Sequence, residues 1–127
     1  MKLIEQIELA NGLTLNIYDL SRQIAQDTTK VEIYITTEIK LEESYFANHD
    51  DFTRVKIIFG DKINFEYRKE RSFTSLEKQN DIRNELIDTF KKNSLNYIAT
   101  PNFAQNLALS KLRDIKNNPF KYIVRPE

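Results

Sequence analysis

The 127-residue sequence contains no cysteine. Disulfide bridges and metal sites built from thiolates are therefore excluded. A chain of this length buries roughly two thirds of the surface that its unfolded form exposes, so it can fold without such cross-links. Glu5 and Glu8 interrupt the apolar residues near the N-terminus, where an export signal would need an unbroken apolar core. We therefore expect a cytoplasmic location.

Glycine and histidine are scarce, with two residues and one residue respectively. Two glycines cannot build a glycine-rich phosphate loop, and a single histidine without cysteine leaves little material for a nucleophilic triad. His49 lies beside Asp50 and Asp51, but we interpret this segment as a solvated acidic loop and expect neither a metal nor a cofactor. No pair of carboxylates stands out as catalytic. We therefore expect a protein that is not an enzyme.

Long apolar runs are absent, so we expect no membrane-spanning segment and no membrane partner. The net charge is zero, but residues 1–51 carry a net charge of −6 and residues 52–127 a net charge of +6. Such asymmetry indicates either a polyanionic partner or two halves that face each other, within one chain or across a dimer. The sequence pI of 6.6 favours the second interpretation, since domains that bind nucleic acid usually have a higher pI.

Alternating apolar and polar residues predict strands over 3–9, 13–20, 30–42 and 62–71. Asn11-Gly12 marks a hairpin between the first two strands. Only a three-residue loop, Ala10 to Gly12, pairs Leu9 with Leu13 and keeps the apolar residues on one face, so we expect Gly12 in a left-handed bulge. One polar and one apolar face predict an antiparallel sheet covered on one side.

Helical spacing of apolar residues predicts two C-terminal helices, one opened by a capping box from Thr74 to Glu77 and ended by Pro101, the other near 102–117. Residues 51–59 fit either a strand or a short helix, and we favour a helix with Asp50 as its N-cap and Gly60 at its C-terminal end. The extended tail after residue 117 is a candidate edge strand. The sequence thus predicts one α+β domain, residues 1–127: an antiparallel sheet of about four strands, with a fifth left open, and C-terminal helices packed on one face.

Two polar clusters interrupt this pattern and supply the candidate ligand or partner-binding residues. They are Asp19, Ser21, Arg22 and Asp27 in the first cluster, and Arg68, Glu70 and Arg71 in the second. Aspartate and serine side chains readily fasten turns, and an arginine can bridge a carboxylate with two hydrogen bonds. We therefore expect the first cluster to be a loop fastened by its own side chains, with Arg22 bridging Asp19 or Asp27 and Arg68 or Arg71 pairing with its carboxylates. The alternative is a site for a small anionic ligand.

Three segments, NGLTLNIYDLSRQIAQD, GDKINFEYRKERSF and NSLNYIATPNF, resemble a group of small bacterial proteins that carry no assigned function. The resemblance covers roughly residues 1–110. It implies that Asp19, Ser21, Arg22, Glu70 and Arg71 match recurring positions, and it implies no activity. Thr28 and Thr29 stand where the group has an aromatic residue, which weakens the case for an aromatic pocket there.

Three functions remain as hypotheses. The first is a non-enzymatic module that binds another protein or forms a homodimer. The second is a nucleic-acid-binding module in which Phe120 and Tyr122 stack bases and the basic C-terminal third contacts phosphates, through Lys91, Lys92, Lys111, Arg113 and Lys116. The third is an enzyme or a binder of a small anionic ligand at the Arg22 and Arg71 cluster.

Overall fold

The alternating segments form a five-stranded antiparallel sheet in a computed structural model that describes residues 1–122. Three helices of the described chain follow or interrupt the strands. The elements in chain order are β1 (Lys2–Glu8), β2 (Thr14–Asp19), β3 (Arg22–Ala25), β4 (Thr28–Lys40), α1 (His49–Phe59), β5 (Lys62–Ser75), α2 (Gln79–Ile98) and α3 (Phe103–Asn117). The predicted α+β class is confirmed. Within the described residues, no helix has the length and apolar character needed to cross a membrane.

The first hairpin has the predicted register. Ile7 pairs with Leu15, and the N–H of Leu9 donates to the carbonyl of Leu13. Gly12 has a φ of 87°, a left-handed conformation that glycine adopts without the penalty a Cβ would bring. A bulge at Ile4 shifts the register further along the strands, so that Glu5 faces Ile17.

β2 and β3 act as one interrupted strand beside β4. The register that pairs Asp19 with Ile33 also pairs Arg22 with Lys30, so the chain resumes its ladder after a two-residue break. β5 pairs with β4 as well. The first predicted polar cluster is therefore the end of a hairpin whose turn is formed by residues 26 and 27.

Contacts divide the chain into two compact units. Unit 1 contains residues 1–37 and 65–100, and unit 2 contains residues 38–64 and the chain from Pro101 onward. The segments of the two units therefore alternate along the chain. The single domain predicted for residues 1–127 stays a prediction.

Unit 1 buries one face of its strands against α2. The ring of Tyr67 on β5 lies 4.8 Å from the ring of Phe90, measured between centroids. We call this side of the sheet in unit 1 the helix face and the opposite side the open face. The residues of unit 1 that are fully or almost fully buried are Leu15, Ile17, Thr29, Val31, Ile33, Ile35, Thr37, Phe90 and Ile98. The hydroxyls of Thr29 and Thr37 are satisfied, since each donates to a carbonyl of the neighbouring strand at 2.8 Å.

Unit 2 has its own core. α1 and α3 pack together, and the amide of Gln105 on α3 donates to the carbonyl of Tyr45 in a short 3-10 turn. Lys116 and Asp51 form an ion pair between the two helices at 3.7 Å. The buried side chains include Ile39, Leu41, Phe46, Val55, Ile63, Phe103, Ala108, Leu112 and Ile115.

Two predicted helix starts are wrong. The N-cap of α1 is Asn48, whose side chain accepts from the N–H of Asp51, and Asp50 lies inside the first turn instead. The predicted capping box fails because β5 continues to Ser75, which keeps Thr74 in the strand, where its hydroxyl donates to the carbonyl of Arg71. α2 consequently begins at Gln79, after a 3-10 turn. Two other predictions are confirmed. Residues 51–59 are helical, and Gly60 lies at the C-terminal end of α1.

The predicted tail strand can be followed only in part. Residues 119–122 form a turn after α3, and Tyr122 donates a hydrogen bond to Asp114. The rest of the predicted strand, residues 123–127, lies outside the described residues.

Candidate interaction surfaces

The first predicted cluster is fastened by its own side chains and backbone, but it is not wholly a loop, because Arg22–Ala25 form strand β3. The carboxylate of Asp19 accepts from the N–H of Ser21 at 2.8 Å, and the hydroxyl of Ser21 accepts from the N–H of Glu32 at 3.1 Å. The carbonyl of Asp27 accepts from the N–H of Leu76, and its carboxylate accepts from the hydroxyl of Thr28. Ser21 thus bridges the two-residue break between β2 and β3.

Asp19 belongs to the helix face. Its carboxylate lies 3.3 Å from the guanidinium of Arg83 on α2, and both side chains are mostly buried. Burial opposes ionisation of Asp19, but the hydrogen bonds from Ser21 and the charge of Arg83 outweigh it and lower the pKa below the ordinary carboxyl value. The partner of Asp19 is therefore Arg83, and the expected bridge from Arg22 does not form.

Arg68 and Glu70 lie on the open face, the polar face predicted for them, but their partners come from β4. Arg68 pairs with Glu32 at 3.4 Å, and Glu70 pairs with Lys30 at 2.8 Å. Arg68 therefore does not pair with a carboxylate of the first cluster. Arg22 shares this face, because it lies directly opposite Lys30.

Arg22 and Arg71 are both exposed, and no ion pair is formed by either among the described residues. The hypothesis of an anionic-ligand site needs these two arginines in a shared cleft. Arg22 lies on the open face, whereas alternation along β5 places Arg71 on the opposite face from Glu70. This geometry gives the ligand hypothesis no support.

A row of stacked side chains crosses three strands of the open face. The rings of Tyr18 on β2 and Tyr34 on β4 stack with centroids 6.0 Å apart. The guanidinium carbon of Arg68 on β5 lies 4.5 Å from the centroid of the Tyr34 ring, a cation–π arrangement. We call Tyr18, Tyr34 and Arg68 the aromatic row.

The environment of the aromatic row holds it in place. Glu32 contacts Arg68 while only 17% of its own side chain is exposed. Burial raises the pKa of the Tyr34 phenol, and the nearby Glu66 carboxylate adds to that rise. The Tyr34 phenol is therefore harder to ionise than an ordinary tyrosine, and Arg68 has both an aromatic and an anionic neighbour that limit its rotamers.

Sequence reasoning missed the two tyrosines of this row and the carboxylate that holds Arg68. Alternation places Tyr34 and Glu32 on the wet face of β4. An aromatic side chain on a wet face was the available signal. Its neighbours Tyr18 and Arg68 became apparent only through the strand register.

The second half of β5 is exposed on both faces of the sheet. Every residue from Arg68 to Phe73 is exposed, although before Arg68 the exposed positions of β5 alternate with buried or half-buried ones. We call residues 68–73 the edge segment. Phe73 ends it with 83% of its surface exposed and a φ of 60°, a conformation that aromatic residues rarely adopt.

Unit 2 has a small apolar groove of about 210 Å³ between α1 and the end of α3. Ile57 at its border is 63% exposed. The residues that line the groove are Arg54, Ile57, Ile58, Ile115, Pro119 and Tyr122.

The cations proposed for nucleic-acid binding are partly occupied within the chain. Lys91 pairs with Glu5 at 2.7 Å, and Lys116 pairs with Asp51. Lys111 lies over the ring of Phe59. A phosphate would therefore have to displace existing partners from Lys91 and Lys116.

His49 is exposed on the first turn of α1. Its Nδ1 lies 2.8 Å from a carboxylate oxygen of Glu43, and its Nε2 contacts the hydroxyl of Thr53. Among residues 1–122 no group of three or more histidine, aspartate and glutamate side chains is arranged to hold a metal ion.

Comparison of the chain with known protein families, curated proteins and solved structures gives no match.

Proposed function

We propose that the chain is a non-enzymatic protein-interaction module that uses the open face of unit 1 as its binding surface. The aromatic row is the observation that carries this proposal. Tyrosine and arginine are enriched at the centres of protein interfaces, where a few such residues supply most of the binding energy.

The chemistry of the open face supports a protein partner more than a small molecule. Positive and negative side chains alternate around the row, with Lys30 beside Glu70 and Arg68 beside Glu32. A surface with both signs in fixed positions selects a complementary surface and rejects mismatched ones. The partner is either another protein or a second copy of this chain.

The ion pairs of each unit also account for the charge asymmetry of the sequence. Acidic residues before position 52 pair with basic residues after it, as in Glu5 with Lys91, Asp51 with Lys116 and Glu38 with Lys62. These pairs bring acidic and basic parts of the sequence together within one chain. A polyanionic partner is not needed to explain the asymmetry.

Native mass spectrometry of the protein purified gently from its own cells tests the proposal. We expect a dimer or a complex with a second protein. We expect Tyr34→Ala to weaken at least tenfold the association that uses the open face. Tyr97→Ala is the matched control, because Tyr97 is an exposed tyrosine of unit 1 that lies on α2. Circular dichroism of both variants verifies that they fold.

Two outcomes contradict this proposal. One is a monomer that carries no protein at any concentration. The other is a complex that Tyr97→Ala weakens as much as Tyr34→Ala does.

A further inference from the structure

The edge segment belongs to a strand that has a neighbour on one side only. β5 pairs with β4, and within the described residues no other strand pairs with β5. Backbone groups on the outer edge of such a strand offer unused hydrogen bonds to any further strand. The edge segment combines this open edge with exposure on both faces.

The direction of the backbone groups follows from one hydrogen bond. The carbonyl of Asp61, just before β5, points toward β4, where it accepts from the N–H of Leu41. Backbone groups alternate sides along an antiparallel strand. The contacts of Arg68 and Glu70 with β4 keep this alternation through the edge segment, so the N–H and carbonyl groups of Glu66, Arg68, Glu70 and Ser72 point outward. The N–H of Leu76 points back to the carbonyl of Asp27, and the alternation shifts by one residue after Ser72, where Phe73 has its left-handed φ.

The opposite edge of the sheet is a poorer template. β1 is interrupted by the bulge at Ile4 and carries the charged residues Lys2, Glu5 and Glu8. Bulges and charges are the means by which proteins prevent pairing at an edge. The edge segment is charged as well, from Arg68 to Arg71, but its contacts with β4 keep the even-numbered side chains on one face through Glu70, so no bulge interrupts it there.

We propose that two copies of this chain associate through their edge segments, which pair antiparallel about a two-fold axis at Lys69. The resulting interface joins the two sheets into one continuous sheet. This proposal rests on the proposed function only in that the chain binds protein, and it adds a second surface to the open face.

Charge complementarity selects this register. A two-fold axis perpendicular to the sheet preserves the faces, so a residue can only face one of the same parity. With the axis at Lys69, Arg68 lies opposite Glu70 of the second copy, twice by symmetry. Tyr67 lies opposite Arg71, a pairing of an aromatic ring with a cation.

The neighbouring registers are worse. An axis at Arg68 would place Glu66 opposite Glu70, and an axis at Glu70 would place Lys69 opposite Arg71. Opposed like charges destabilise a strand pair. The chosen register has one such contact, Lys69 with itself, at a position exposed enough for the two ammonium groups to separate.

Phe73 gains a role in this arrangement. With the axis at Lys69, the exposed ring of Phe73 approaches Phe65 of the second copy at each end of the paired segment. Aromatic pairs across strands are among the more favourable side-chain contacts of sheets. A large exposed aromatic side chain at the end of an open edge is thereby explained.

Single cysteine variants test the register directly, because the chain has no cysteine of its own. At Lys69 the two copies form a non-hydrogen-bonded pair, in which the Cα atoms lie about 4.5 Å apart, within the usual range for a disulfide. We expect Lys69→Cys to give a disulfide-linked dimer under mild oxidation, detected by non-reducing electrophoresis. Arg71→Cys is the matched control, because it is equally exposed on the same strand but lies about 14 Å from its copy in this register.

A second pair of variants tests the edge itself. Ser72→Pro removes one outward N–H and places a ring on the edge, whereas Ser72→Ala keeps the N–H. We expect sedimentation equilibrium to show that Ser72→Pro raises the dissociation constant of the dimer at least tenfold. Ser72→Ala should leave that constant within about threefold. A tenfold change in the dissociation constant corresponds to roughly 1.4 kcal/mol of binding free energy.

Failure of this proposal differs from failure of the proposed function. A dimer in which Lys69→Cys gives no linked species, or no more than Arg71→Cys gives, overturns the edge interface and leaves the interaction module standing. A monomer that binds a different protein likewise overturns the edge interface and leaves the interaction module standing. A monomer that binds nothing overturns both.

Discussion

Asp19 illustrates how one side chain connects the strands of unit 1 to α2. Its carboxylate accepts from the N–H of Ser21 and pairs with Arg83, whose Nε is buried without a hydrogen-bond partner among the described residues. Without the Asp19 carboxylate, the largely buried guanidinium of Arg83 loses its ion-pair partner. Loss of a hydrogen bond to a charged group costs about 1.5–3 kcal/mol.

We therefore expect Asp19→Asn to lower the free energy of unfolding by about 1.5–3 kcal/mol at pH 7. The folded-state pKa of Asp19 is lowered, so this stabilisation is present above the ordinary value of 3.8 and is lost as the pH falls below it. Urea unfolding of both proteins between pH 7 and pH 3 measures the difference. Asp27→Asn is the control, since Asp27 is exposed and we expect its substitution to have little effect at either pH.

Phe73 gives a second prediction at this scale. Its left-handed conformation costs an aromatic residue roughly 1–2 kcal/mol, part of which glycine recovers. We expect Phe73→Gly to raise the free energy of unfolding by about 0.5–1 kcal/mol, measured at protein concentrations low enough to keep the chain monomeric. Phe73→Ala keeps the Cβ and should leave stability nearly unchanged, so an equal gain from both variants would show that backbone strain is not the cause.

At the scale of elements, the first hairpin holds the end of α2. The amide of Asn11 donates to the carbonyls of Ile98 and Thr100, and its oxygen accepts from the N–H of Leu13. Carbonyls at the end of a helix have no partner within the helix, so a side chain from another element can satisfy them. The turn residue thus also fixes where α2 ends.

We expect Asn11→Ala to lower the free energy of unfolding by about 1–2 kcal/mol, because two hydrogen bonds between distant parts of unit 1 are lost. Asn16→Ala is the control, since Asn16 makes its side-chain hydrogen bond with the exposed Gln6. Thermal unfolding followed by circular dichroism compares the two. A smaller loss for Asn11 than for Asn16 would contradict the assigned role.

The elements that were predictable from sequence are those whose burial alternates or repeats. β4 alternates between buried and half-buried residues from Thr28 to Thr37, and this pattern needs no knowledge of the rest of the chain. The edge segment lacks the pattern because both of its faces are exposed, so the prediction ended β5 at Arg71 and began a helix at Thr74. The capping-box motif was present in the sequence, but the pairing of the N–H of Leu76 with the carbonyl of Asp27 keeps this part of the chain beside β4.

The candidate site was less predictable than the fold. Asp19, Ser21 and Arg68 were identified as polar residues that break or border the apolar pattern, but their partners depend on which strands and helices become neighbours. The contact of Arg68 with Tyr34 requires the pairing of β5 with β4, and the contact of Asp19 with Arg83 requires the docking of α2. The spacing of these residues along the sequence predicts neither the contact of Arg68 with Tyr34 nor that of Asp19 with Arg83.

At the scale of the whole molecule, the charges are balanced by interleaving. Each unit combines a segment from the acidic first part of the chain with a segment from the basic second part. The asymmetry that could have indicated a nucleic-acid partner is thus partly offset within each unit, through pairs such as Glu5 with Lys91. We expect the protein to show no strong preference for polyanions for this reason.

The alternation of the two units along the chain also constrains how the protein is made. During synthesis, which proceeds at about 5–20 residues per second, residues 38–64 leave the ribosome before unit 1 has received its second segment. α2 must therefore find the waiting strands of unit 1 while half of unit 2 is exposed without its helix partner α3. A break in the backbone near residue 64 would likewise leave two fragments, each holding half of both cores, so neither fragment could fold without the other.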